Sequence, residues 1–288
     1  MNFKNGKIII FSGAGISAES GLATFRDSNG LWANYDPDVV CNYRSWRKNY
    51  ELVHQFYNKR REELARVRPN VAHKIVCDLA REFEVINITQ NVDDLFERAH
   101  LDGESNANQN ADSRKSNANQ NADSSESNAN QGVDSSKSNT DSSDSNAIFA
   151  EYEKINILHL HGKLWEIRCE NCDNIITIGY APYDFFPCPK CGNPKLKPNI
   201  VFFYEQAPKY MEMYEIFERV SDDDIIVVSG TSGEVVNVCA MIRRGYKILN
   251  NLEKARGINE NLFDSVYFEP STSAFPKIYD EIKNLKNV

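Results

Sequence analysis

Short apolar runs alternate along the chain with stretches whose apolar residues recur every three or four positions. Ile8–Phe11, Val85–Thr89, Ile155–Leu160, Ile200–Phe203, Ile225–Ser229 and Lys247–Leu249 predict strands buried on both faces. Between them, Val53, Phe56, Tyr57, Arg60 and Leu64 fall at helical spacing, as do Ala72, Ile75, Val76, Leu79 and Phe83. Strand–helix alternation of this kind predicts an α/β protein built on a parallel sheet. One stretch breaks the pattern. SNANQNADS occupies 105–113 and returns at 116–124, SNANQGVDS follows at 127–135, and a degraded copy begins at Ser138. This 11-residue period suits a right-handed supercoil only when apolar residues line the seam, and here alanines and Val133 are all it offers. Segment 104–146 therefore reads as a disordered repeat insertion between a helix and a strand.

Charge narrows the choice of partners. The formal net charge is −8, and segment 104–146 holds seven acids against three bases, so half of it lies there. The mildly acidic remainder lacks the basic surface that a phosphate backbone needs, and no nucleic acid partner is expected. No apolar run approaches the roughly 18 residues of a membrane span, so no membrane partner is expected. Met1 to Gly6 has no charged-then-apolar signal pattern, and a cytoplasmic location is the expectation. Seven cysteines are an odd number for a disulfide framework, which also suits a reducing compartment.

Four motifs carry candidate chemistry. Ser12-Gly13-Ala14-Gly15-Ile16-Ser17 follows the first strand, where glycines let backbone approach a pyrophosphate and a helix start favours its charge; a plain tight turn explains it equally well. Cys169-x2-Cys172-x15-Cys188-x2-Cys191 pairs four thiols at zinc spacing. With all four ligands cysteine, no position is open to water, so one structural Zn2+ is expected. Cys41, Cys77 and Cys239 read as ordinary core or partly buried residues. Thr89-Gln90-Asn91-Val92-Asp93 ends a strand, where it either binds a ligand or caps the next helix through Asp93 or Asn91. His159-Leu160-His161-Gly162 closes another strand. A histidine there serves as a general base or as a hydrogen-bonded structural group, and only one of the two is expected to face a cleft.

Together these motifs resemble the sirtuin family of NAD-dependent protein deacylases. Gly13-Ala14-Gly15-Ile16-Ser17, Thr24-Phe25-Arg26, Gly30-Leu31-Trp32, Thr89 to Asp93, His161-Gly162, the four cysteines and Gly230-Thr231-Ser232 occur in family order across nearly the whole chain, 104–146 excepted. The resemblance implies an α/β fold: a Rossmann-like parallel sheet domain with a smaller lobe made of a helical segment and a zinc ribbon. Residues 1–37, 71–103, 147–163 and 197–288 would form the NAD-binding lobe, with 38–70 and 164–196 in the small lobe. NAD+ as co-substrate would meet Gly13, Ala14, Gly15, Ser17, Ala18, Phe25, Arg26 and Trp32 at its phosphates and ribose. Gln90, Asn91, Val92 and Asp93 would hold the nicotinamide half, and Gly230, Thr231 and Ser232 the adenosine half. Asn251, Leu252 and Glu253 match a signature at the adenine ribose, with Ser271 nearby, and His161 matches the general base.

The implied reaction transfers an acyl group from a protein lysine to ADP-ribose and releases nicotinamide. Tyr57-x-x-Arg60 is similar to the signature of family members that prefer succinyl- and malonyl-lysine. Three residues apart on a helix, the two share a face, where a guanidinium fork and a phenol suit a carboxylate. Arg61 and Arg66 then face elsewhere, as solvated residues. A mainly deacetylating enzyme, an ADP-ribosyltransferase or NAD hydrolase, and a non-catalytic zinc module that senses NAD are the alternatives. Departures are Phe203-Tyr204-Glu205 where relatives carry Phe-Gly-Glu, Asp94 and Phe96 after the Gln-Asn-Val-Asp motif, and Gly233-Glu234 after Gly-Thr-Ser.

Overall fold

The computed structural model describes residues 3–23, 35–103, 148–152 and 154–287. The expected contacts of Phe25, Arg26 and Trp32, and the 104–146 insertion, lie outside them. Among the described residues, six strands form one all-parallel sheet: β1 (Ile8–Ser12), β2 (Val85–Thr89), β3 (Ile157–His159), β7 (Ile225–Ser229), β8 (Tyr246–Asn251) and β9 (Ser265–Phe268), in the order β3-β2-β1-β7-β8-β9. This is the strand order of a Rossmann fold. The order reverses between β1 and β7, and the crevice beyond the carboxyl ends of those two strands is where such sheets bind ligands.

Continuous apolar strands suit a sheet covered on both faces. Ile9, Phe11, Ile88, Val228 and Leu249 point into one core cluster, and Ile8, Ile10, Val227 and Ile248 into the opposite one. The second face is covered by α4 (Val71–Glu82), whose N-cap Asn70 accepts from the Ala72 amide at 2.9 Å, and by α6 (Ser271–Lys286), which supplies Phe275 and Ile278. Between them in sequence lies α5 (Tyr210–Glu218), which places Met213 and Phe217 on the first face. Fully burying side chains of this size contributes roughly 1.5–3 kcal/mol each.

A second, three-stranded antiparallel sheet is built from β4 (Gly162–Arg168), β5 (Ile175–Thr177) and β6 (Lys197–Ile200), in the order β5-β4-β6. Its presence corrects one expected strand. Ile200–Phe203 does not join the parallel sheet: its first residue ends β6, and Phe203 makes an isolated parallel bridge to Asn42. Against this sheet packs α3 (Tyr50–Arg66), with α2 (Pro37–Val40) preceding it. Arg61 of α3 is not the solvated residue its sequence suggests. It is fully buried, donating to the Leu164 carbonyl of β4 at 3.1 Å and to Asn58 Oδ1 at 2.5 Å. Burial lowers its pKa to about 10.

Candidate active site and metal centre

Five parallel strands end at one place, and the candidate residues sit on those ends. After β1, the Gly13 amide donates to the Ser229 carbonyl and the Gly15 amide to the Gly230 carbonyl, each at 2.9 Å. A Cβ on Gly13 would lie 2.7 Å from the Gly230 oxygen, and one on Gly15 would lie 2.6 Å from the Gly230 Cα. Gly230 itself has φ +64°. The glycines thus let two backbones touch at the reversal of strand order, a reason for glycine that is independent of any ligand. The helix after them, α1 (Gly15–Ala18), is a single turn.

From β2, the Gln90 amide donates to the Ser12 carbonyl at 2.9 Å, and its side-chain Nε2 to Thr231 Oγ1 at 2.9 Å, tying the β2 end to the loop after β7. Ser17, expected at the cofactor, is buried and committed to protein: its hydroxyl donates to Asp93 Oδ2 at 2.9 Å and accepts from Asn91 Nδ2 at 3.0 Å. Asp93 turns its other oxygen to the Leu95 amide at 3.2 Å, so it also caps the helical stretch 95–103. Burial raises the Asp93 carboxyl to about 6, against the hydrogen bonds that favour its ionised form.

Asn251, at the end of β8, braces the loop after β7: its Oδ1 accepts from the Thr231 amide at 3.0 Å and its Nδ2 donates to the Thr231 carbonyl at 2.9 Å. Ser271 Oγ and Ser229 Oγ both donate to Asn250 Oδ1 at 2.9 Å. Leu252 and Glu253 are exposed beside them.

The two histidines of the β3 end separate because the strand stops at His159; on a continued strand, residues two apart would share a face. His159 is buried, with Nε2 at 2.7 Å from Glu97 Oε1 and Nδ1 at 2.9 Å from the Asn91 carbonyl, and it is a structural ion pair. His161 emerges at the crevice with Nδ1 at 3.0 Å from the Gln90 carbonyl and Nε2 at 2.9 Å from the Tyr210 hydroxyl. Burial lowers its pKa below the ordinary 6.5, so the ring is neutral and basic at Nε2 near neutral pH.

Tyr57 and Arg60 lie on α3, where Tyr57 packs into the core shared with the second sheet. The Tyr57 ring stacks on Phe202 at 5.6 Å and 11°. The neighbouring Val201 amide donates to the His161 carbonyl at 2.9 Å, so this stack adjoins the candidate base. The Tyr57 hydroxyl is 3.1 Å from Cys41 Sγ, a thiol that sequence alone placed in the ordinary core. Arg60 is mostly buried and pairs with Glu63 through Nη1 at 3.1 Å. Tyr204 has φ 66°, a left-handed conformation, with the Arg44 guanidinium 4.2 Å over its ring. Glu205 fixes that turn, accepting from the Phe202 amide, Lys197 and Arg168, each at 2.8 Å.

At the far end of β4 the four thiols of Cys169, Cys172, Cys188 and Cys191 lie within 4.8 Å of one another. Sulfur pairs stand 3.5 Å and 3.6 Å apart, close to the ~3.8 Å edge of a tetrahedron with zinc–sulfur bonds of about 2.3 Å. Asn171 and Asn193 side chains donate to Cys191 and Cys169 at 3.5 and 3.4 Å, as thiolates prefer. The site fits one structural zinc with no coordination position left for chemistry.

Comparison with known proteins agrees with this geometry. The Sir2 family pattern matches residues 13–103 and 121–237. A Helicobacter hepaticus protein named NAD-dependent protein deacylase is 41% identical over 301 residues, covering 96% of this chain and 97% of its own length. A Campylobacter jejuni protein of the same name is 36% identical over 282 residues, covering 96% of each chain. Among solved structures, a Sir2 homolog in complex with NAD is 26% identical with a TM-score of 0.70, covering 98% of this chain and 92% of that one. With the family pattern on well over half of its residues and relatives of this identity along nearly its full length, the chain belongs to the Sir2 family.

Proposed function

We propose that this enzyme removes acyl groups from lysine side chains of proteins, with succinyl and malonyl preferred over acetyl, yielding nicotinamide and O-acyl-ADP-ribose. That it is an NAD-dependent protein deacylase follows from its family and from relatives so named. NAD supplies the ribose that accepts the acyl group. The observation carrying the reading is the convergence of Gly13, Gln90, Gly230 and Asn251 with a neutral His161 at the reversal of strand order. Those loops would hold the dinucleotide, while His161 Nε2 accepts a proton from a ribose hydroxyl so that its oxygen attacks the acyl carbon. For the balance to close, the amide oxygen would take the ribose carbon that nicotinamide leaves, and one water would supply the oxygen left on the acyl carbon. The lysine amine would then depart with the acyl group on the ribose. Zinc holds β4 and its loops and takes no part in these steps.

The acidic-acyl preference rests on Tyr57 and Arg60. Arg60 already has a carboxylate partner in Glu63, which favours the alternative of a salt-bridging role and a mainly deacetylating enzyme. Against it, the helical spacing of Tyr57 and Arg60 puts a phenol and a guanidinium fork on one face of α3, a pairing that suits a carboxylate. Turnover with NAD on matched acetyl-, malonyl- and succinyl-lysine peptides decides the question. A succinyl rate below the acetyl rate would leave Tyr57 and Arg60 as packing residues.

A further inference from the structure

His161 has both ring nitrogens engaged. A carbonyl only accepts, so the contact with the Gln90 oxygen at 3.0 Å puts the proton on Nδ1 and the lone pair on Nε2. The hydroxyl 2.9 Å from that lone pair belongs to Tyr210 and must be its donor. The two rings lie 5.9 Å apart, tilted by 46°. Tyr210 begins α5 and is held edge-on by Tyr214 one turn later, with ring centroids 6.4 Å apart. The one atom of His161 able to take a proton from a substrate hydroxyl is therefore occupied by a phenol.

We propose that Tyr210 is a positioning residue for acyl transfer: with the tautomer of His161 set by the Gln90 carbonyl, its hydroxyl holds the plane of the ring and caps Nε2 until a ribose hydroxyl replaces it. This rests on reading His161 as the general base. The exchange trades one O–H donor for another, so the cap yields at little cost once the ribose is seated. No proton passes from the phenol, whose pKa burial raises above the ordinary tyrosine value, so Tyr210 acts as a donor and not as an acid. The groups bearing on the ring are the Gln90 carbonyl from the β2 end, Tyr210 from α5, and Tyr214 behind it.

Tyr210→Phe tests this, because it removes the donor and keeps the ring. A donor to Nε2 stabilises the neutral imidazole, so its loss raises the ring pKa by about half to one unit. Ring-nitrogen NMR of the full-length protein should show that rise for His161. The acid limb of kcat/KM for NAD, which reports the free enzyme, should move up in pH by the same amount. Nicotinamide exchange, which precedes the proton transfer, serves as the reference step and should hold within about twofold. An unshifted His161 titration and acid limb would overturn the proposal. So would equal loss in both steps, which would mean that Tyr210 merely packs. If His161→Ala kept full turnover, the reading of His161 as base would fail, and this proposal with it. A dead His161→Ala beside an unshifted Tyr210→Phe would sink only the role of Tyr210.

Discussion

The crevice at the sheet's carboxyl ends and the four-cysteine centre are built on opposite plans. The cysteines are separated by at most 22 positions, and the sulfurs converge through two short turns, the Cys169 amide donating to Asn174 and the Cys188 amide to Asn193. The crevice gathers residues from Gly13 to Ser271, and nearly every polar group in it is held by another strand's end: Gln90 by Thr231, Asn251 by the Thr231 backbone, Ser17 by Asp93 and Asn91. A local site stands or falls as a unit. A distributed site degrades residue by residue, because each member loses its own bond and leaves the rest supported by the core.

The sharpest way to break that contrast is at the thiols. Cys188→Ser should remove the metal, lower the melting temperature by more than ~10 °C or leave insoluble protein, and abolish turnover, since structural zinc supplies folding free energy directly. A zinc-free variant with wild-type melting and activity would show that the centre is ornamental. His161→Ala should act in the opposite way. Turnover should fall by about 10²–10⁴ with melting nearly unchanged, because a general base contributes to rate and not to the fold. Parallel assays of melting and O-acyl-ADP-ribose formation separate the two.

Arg60→Met should lower kcat/KM for succinyl-lysine by roughly 10–100-fold while acetyl-lysine changes far less, the size of one charge-assisted hydrogen-bonded contact. Equal losses on both peptides would make Arg60 a general support of α3. The smallest effect is expected at Tyr204. Replacing it by glycine relieves a left-handed residue worth about 1–2 kcal/mol, offset by lost cation–π contact and by a more flexible unfolded chain. Urea titration should therefore give a stability within about 1 kcal/mol of wild type. A larger loss would mark the Tyr204 ring as a brace for Arg44.

The sheet was legible because its strands are continuous apolar runs, and β2 and β7 match their expected bounds. The second sheet was less legible. β4 mixes Lys163 and Glu166 with Leu164 and Trp165, and at the edge of the parallel sheet β9 alternates half-buried and exposed residues, so neither resembles a buried strand. Ile200–Phe203 has the composition of a central strand, yet hydrogen bonding from β4 ends β6 at its first residue. At the crevice, motif order identified which strand ends matter but not which side chains are spent on one another. Ser17 and Asn251 hold protein groups, and nothing in their spacing foretold it. Arg61 was misjudged because helical phase shows which residues share a face and not what packs there; the Leu164 carbonyl comes from a strand a hundred residues away. Tyr210 belongs to no motif, and only the fold brings it to His161.

The contact of Gly13 and Gly15 with Gly230 has a consequence for recognition. With backbone against backbone and no side chain between them, the loops after β1 and β7 form one body, cross-linked by two amide–carbonyl bonds of 2.9 Å. Their ordering entropy is lost when the chain folds, not when a ligand arrives. A dinucleotide reaching that crevice would meet a pre-organised surface there, leaving more of its interaction energy for affinity and orientation.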